Sequence, residues 1–193
     1  MRCKVSKIFI PTTKAEDWQR LLAKRVWKTG YSAKSLAYCW LEAPHDFPKS
    51  VTKVFKNSCL PLFQNVELLF AFPEYKVPLP GGRRASQSDL FLIARGAGQL
   101  ISIAVEGKVS EEFGPLVSDR GMAASAGKKT RLSFLCNQLG LGVEAVSGVR
   151  YQLLHRTVSA ILEAKKLGAK NALMLVHSFS QTDEWFKDYA KFA

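Results

Sequence analysis

Histidine, cysteine and acidic residues are scarce in these 193 residues. The three histidines, His45, His155 and His177, lie too far apart for metal-ligand spacing. Four cysteines, Cys3, Cys39, Cys59 and Cys136, form no CxxC pair. That excludes a zinc ribbon and a disulfide framework, and it fits reduced thiols in a cytoplasm. No apolar run reaches the roughly 18 residues of a membrane helix. The opening MRCKVSKIFIPTTK is basic but lacks the apolar core and cleavage site of a secretory signal. A soluble, cytoplasmic protein with no membrane partner is therefore expected. The shortage of acid is marked: 16 Asp+Glu face 28 Lys+Arg, a net charge of +12. A balance that basic favours polyanionic partners, nucleic acid first.

Several signatures are missing as well. Gly96-Ala97-Gly98 resembles the start of a dinucleotide loop, but a strand follows where a helix is needed. Gly127-Lys128-Lys129-Thr130 puts Lys129 where a phosphate-binding P-loop has Ser or Thr. There is no GxSxG elbow, no internal repeat and no low-complexity tract.

What is present is enough for one folded domain: 47% hydrophobic and 11% aromatic residues. The pattern predicts an extended segment at Val5–Ile10 and helices at Ala15–Val26, Ala33–Leu41, Ser50–Phe55 and Leu60–Phe72. The first carries a capping box, Thr13 with Glu16. Prolines at 73, 78 and 80 and Gly81-Gly82 then impose a turn-rich passage, with a short strand near Tyr75–Leu79. Further helices are expected over Lys128–Leu139, Arg150–Leu167 and Thr182–Phe192, with a buried strand at Ala172–Val176. The organisation predicted is a single domain, 1–193. It comprises a helical N-terminal elaboration (1–58), a core (59–180) and a C-terminal helix (181–193).

The richest stretch is Ser88–Val109, two hydrophobic runs around a glycine-punctuated turn. A hairpin turning about Ala97-Gly98 pairs residue i with 195 − i and sets Asp89 opposite Glu106, with Cβ atoms roughly 4.5–5.5 Å apart. Glu106 and Lys108 share one side of their strand, with Ser102 and Ala104; Ile101, Ile103 and Val105 line the other, expected to be the buried one. Two carboxylates so close repel unless a cation lies between them. A hard divalent ion held by carboxylate oxygens answers that. Asp89 and Glu106 are thus the candidate metal ligands, with the Gly107 backbone carbonyl a further oxygen donor.

Asp89, sixteen residues, then Glu106-x-Lys108 on the next strand resembles the PD-(D/E)xK nuclease superfamily, the restriction-endonuclease-like fold. Ser88 stands where the superfamily's name has proline. RYQLLHRT, residues 150–157, resembles the glutamine-bearing helix of its exonuclease-like branch. A closer resemblance, to a bacterial family assigned to this fold, runs through IFIPTT, TGYSAKSLAYCW, VPLPGG, AVEGKVSEEFGP, RYQLLHRT and MLVHSFS. The resemblance implies an α/β fold whose mixed central sheet is flanked by helices, and Mg²⁺- or Mn²⁺-dependent hydrolysis of phosphodiester bonds, in DNA ahead of RNA. It leaves a homodimer open.

In that frame Asp89, Glu106, Lys108 and Gln152 are the expected catalytic residues, Lys108 orienting water or stabilising charge in the transition state. Gln152, His155, Arg156 and Ser159 form one polar helix stripe by their spacing. Packed beside the hairpin, as the resemblance implies, this stripe brings Gln152 to the metal or phosphate and Arg156 to a substrate phosphate. The superfamily's extra carboxylate from its first core helix corresponds to Glu67, with Glu74 ranked below it. Arg83, Arg84, Lys128, Lys129 and Arg131 are candidate phosphate contacts. Two other readings stay open: a catalytically inactive nucleic-acid-binding module of the same fold, and a basic interaction or regulatory protein.

Overall fold

A computed structural model describes residues 6–9, 14–22, 26–120 and 125–193. Its centre is a four-stranded mixed sheet in the order β1-β2-β3-β4: Glu67–Val77, Ser86–Gly96, Gln99–Lys108 and Asn171–Ser178. β1, β2 and β3 form an antiparallel meander, and β4 joins β3 in parallel. The crossover between them carries α5 (Ala126–Leu139) and α6 (Tyr151–Lys166). Parallel neighbours require such a connection, since a tight turn can only reverse the chain.

The hairpin has the register expected from its sequence, running from Gly96↔Gln99 to Leu90↔Val105. Ala97 and Gly98 both take positive φ at the turn, the backbone of a two-residue hairpin. Both faces of β3 are buried, which alternation alone did not predict. Ile101, Ile103 and Val105 join a core with Trp18, Leu36, Trp40, Val51 and Phe55 from the N-terminal helices. On the other face Ser102 Oγ donates to the Ala160 carbonyl of α6 at 2.8 Å. A second core, including Leu132, Leu135, Leu154 and Val158, joins α5 to α6.

The described N-terminal region carries α1 (Ala15–Trp18), a 3₁₀ turn (Gln19–Leu21), α2 (Ser32–Leu41) and α3 (Lys49–Asn57). The helix expected over Ala15–Val26 is therefore shorter, and residues 23–25 lie outside the described residues. Within the segment expected at Val5–Ile10, Ile8 makes one parallel bridge to Ala71, while Val5 and Ile10 lie outside the described residues.

The helix expected over Leu60–Phe72 is the main correction. Only Pro61–Gln64 (α4) is helical, and β1 begins at Glu67. A run as apolar as LLFAF suits a buried helix or a strand equally, and pairing along nearly all of β2 decides for the strand. Pro73 is tolerated because β1 is an edge strand. The last helix, α7, is likewise shorter than expected, Phe186–Phe192. Among the described residues no helix is long and apolar enough to cross a membrane.

Candidate functional site

The site lies where β3 ends against the first turns of α6. Glu106 and Lys108, two apart on β3, project to one side. Gln152 and Arg156, one turn apart on α6, face them. Lys108 Nζ donates to Glu106 Oε1 at 3.0 Å and to Gln152 Oε1 at 3.1 Å. Gln152 Nε2 donates to Glu106 Oε1 at 2.6 Å, and Arg156 Nε donates to Glu106 Oε2 at 2.6 Å. Glu106, Lys108 and Arg156 are only 2%, 5% and 7% exposed. Such a cluster survives desolvation only because each charge meets another.

Arg156 thus departs from its expected role. It is a buried counter-ion of Glu106, and its Nη1 donates to Ser86 Oγ at 3.1 Å. Sequence spacing placed it on a polar stripe, but a polar stripe facing a buried carboxylate is interior. Burial alone would raise the Glu106 pKa, yet Arg156 and Lys108 hold it below the usual value.

Asp89 comes to the same corner. Its Oδ2 accepts the Gly107 N–H at 2.8 Å, and Oδ1 has no partner among the described residues. Gly107 therefore offers this corner its amide. A Cβ there would sit 3.2 Å from Ser32 Cβ and 3.4 Å from Asp89 Oδ2, so the bare backbone lets α2 approach. Burial, followed by the charges of Glu106 and Glu74, raises the Asp89 pKa well above normal. Glu111 clasps the far side, accepting the Ser32 N–H at 2.6 Å and the Val109 N–H at 2.8 Å.

Glu67 is not part of this corner. It opens β1 beside Arg95 at the other end of the sheet, pairs with it at 3.2 Å, and its side chain is 52% exposed. Glu74 approaches instead. It lies between Pro73↔Leu90 and Tyr75↔Ser88, at the level of Asp89. Its backbone is left-handed, φ 54°, and its carboxylate accepts from Gln87 Nε2 at 2.6 Å and Trp18 Nε1 at 3.4 Å. Burial pushes its pKa up to about 7. A charged residue inside an apolar run was the available signal for Glu74, but only once that run is known to be a strand. Ser86 gave no signal, since its contact joins residues 70 positions apart.

Among the described residues no group of three or more His, Cys, Asp or Glu is arranged to hold a metal ion. Two carboxylates, Asp89 and Glu106, are what the site offers a cation.

Arg83, Arg84, Lys128 and Lys129 are all exposed. The turn at Gly81 lies directly on Gly127 at the start of α5; a Cβ on Gly81, whose φ is +77°, would strike the Gly127 carbonyl. The four cations therefore share one corner, and Arg84 is two residues from Ser86 of the site. Arg131, a further candidate, is engaged within the fold: its guanidinium donates to the carbonyls of Leu79, Pro80 and Gly82, pinning that turn.

Neither the curated proteins nor the solved structures contain a match to this chain. A family model described as a domain of unknown function (DUF6946) matches residues 11–193, almost the whole length, and the protein belongs to that family.

Proposed function

We propose that this protein is a divalent-metal-dependent nuclease acting on DNA, with Asp89, Glu106, Lys108 and Gln152 as its catalytic residues. One observation carries the reading: Lys108 and Gln152, from different elements, both meet Glu106 beside Asp89 at the open end of the hairpin. The element order supports it in part: of the helix–strand–hairpin–helix–strand order that the resemblance implies, the strand β1, the β2–β3 hairpin, the crossover helices and the parallel strand β4 are present in sequence, while the expected first helix is reduced to Pro61–Gln64.

The donor chemistry suits Mg²⁺ or Mn²⁺. Such an ion takes hard oxygen ligands and is commonly held by one or two carboxylates, with water and phosphate oxygens completing the shell. Asp89, through its open Oδ1, and Glu106 would hold it, and when bound it would supply a Lewis acid for the phosphate. Lys108 then stands two residues from a ligand with an ammonium able to orient water or stabilise developing charge. Gln152 fixes Lys108 through Oε1 and steadies Glu106 through Nε2. Arg156 anchors Glu106 by its other oxygen. The exposed cluster Arg83, Arg84, Lys128 and Lys129 would steer the phosphate backbone.

A second reading, the inactive binding module, draws on a different fact. Glu106 already holds three protein donors and needs no ion for neutrality. A cleavage assay separates the two. Supercoiled, linear and single-stranded DNA, and RNA, are incubated with Mg²⁺ or Mn²⁺ and wild type, Glu106→Gln or Lys108→Met. Cutting that requires the ion and is lost in both variants supports the nuclease. Cutting that survives both overturns this site, and duplex binding without cutting by wild type favours the binding module.

A further inference from the structure

Beside Lys108 the surface opens into an apolar cleft of about 430 Å³. It runs along β4, the free edge of the sheet, between α3–α4 and α7. Its volume is that of a small-ligand site, and the nuclease reading gives its interior no role. Met174 and Val176 contribute from β4, Phe113 and Trp185 from the flanking segments. Lys108 belongs to both places: its Nζ bonds Glu106 and Gln152, and also lies 5.0 Å from the centre of the Phe113 ring.

The aromatic wall is fixed in place. Trp185 Nε1 donates to the Ser110 carbonyl at 2.8 Å, and the Arg150 guanidinium lies 5.3 Å from its ring. Arg150 also bonds Asp188 of α7 at 2.8 Å and Glu112 at 3.0 Å, tying the helix to the loop after β3. Polar groups stand at the rim. Asp183 and Glu184 line the cleft and are exposed, and Glu184 Oε2 accepts from Ser180 Oγ at 3.2 Å.

We propose that this cleft seats one unstacked nucleobase next to the phosphate held at Lys108, which makes single-stranded or locally unpaired nucleic acid the substrate class. The inference rests on the nuclease reading and extends it. Three features select a base over another apolar guest. A planar ring needs aromatic walls, supplied by Trp185 and Phe113, and base–aromatic stacking tolerates every base. The ring-edge N–H and amino groups need acceptors, supplied by Asp183 and Glu184. The attached phosphate needs a cation, supplied by Lys108 in the cleft's lining. A fatty acyl chain has no donors for the rim carboxylates.

Binding is measured by fluorescence anisotropy without divalent ions, so that nothing is cut. The probes are a labelled single-stranded 12-mer, the same strand with a central run of abasic sites, and a blunt duplex. Wild type is expected to prefer the intact strand over the abasic one by roughly tenfold. Trp185→Ala abolishes that preference, Trp185→Phe restores it, and duplex binding is the same in all three. Equal binding of intact and abasic strands by wild type, or an unchanged preference in Trp185→Ala, overturns the pocket; metal-dependent cutting of duplex would then still stand. Displacement of a fluorescent fatty-acid probe by oleate, with no preference for bases, overturns it in favour of a lipid ligand. Should no nucleic acid be bound or cut at all, the nuclease reading falls and takes the pocket with it.

Discussion

Arg156 Nε donates to Glu106 Oε2 at 2.6 Å across the interface of α6 and β3, and both side chains are withdrawn from water. The pair welds the crossover helix to the strand carrying the candidate site. It also explains how a buried carboxylate stays ionised: the guanidinium offsets the burial that would otherwise protonate it.

Removing Arg156 should therefore cost more than a surface cation would. Arg156→Ala leaves Glu106 buried with Lys108 as its remaining counter-ion, a loss of about 3–5 kcal/mol. The double variant Arg156→Ala/Glu106→Gln, which removes both members of the pair, should recover part of it. Urea denaturation of wild type, Arg156→Ala, Glu106→Gln and the double variant gives the coupling. A single variant as stable as wild type would show that Glu106 does not depend on this partner.

Divalent ions should raise the thermal stability of the native protein. An ion that binds the folded state alone stabilises it in proportion to the logarithm of its concentration over Kd, about 2.7 kcal/mol at a hundredfold excess. Asp89→Asn removes the carboxylate with the open oxygen, so its melting temperature should no longer respond to Mg²⁺. An identical Mg²⁺ response in wild type and variant would place the ion elsewhere.

How much of this was written in the chain can be seen residue by residue. The hairpin register was legible because Gly98 and the alternating apolar residues specify one turn, whereas the burial of both faces of β3 was not. β1 was not, since its apolar run has no clear period and its proline argues locally against a strand. The positive φ of Glu74 within β1 follows from tertiary pairing, which no local propensity reports. The same holds for Arg156. Its helical neighbours were readable, but its burial depends on Glu106 and Ser86, 50 and 70 residues away.

Glu74 makes a prediction with a definite sign. Its folded pKa is raised from 4.5 to about 7, mainly by burial, so the folded state holds its proton more tightly than the unfolded chain. It therefore opposes folding increasingly as pH rises from about 4.5 to 7, reaching up to about 3 kcal/mol above that window. Glu74→Gln keeps an acceptor for only one of the donors Trp18 and Gln87, which offsets part of the gain. Relative to wild type, the variant should gain stability steadily between pH 4.5 and 7. A stability difference that stays flat across that range would remove Glu74 as the titrating group.

His177 predicts the opposite slope. Its Nδ1 accepts the Trp40 indole N–H at 3.1 Å, and its Nε2 lies 3.2 Å from Ser50 Oγ. Indole is a donor only, so Nδ1 must carry a lone pair and the ring must be neutral, with Nε2–H directed to Ser50. Burial lowers its pKa from 6.5 to about 4. The unfolded chain binds this proton first, so stability contributed by neutral His177 is complete above about pH 6.5 and drains away towards pH 4, by up to about 3 kcal/mol. Those bonds tie β4 to α2 and α3, so acid should loosen the N-terminal helices from the sheet. His177→Asn is expected to be less stable than wild type at pH 7.5, with the gap narrowing by about 3 kcal/mol by pH 4. Denaturation of the Glu74→Gln background at each pH isolates this slope from the opposing one. A gap of constant size would mean that His177 does not titrate in that window.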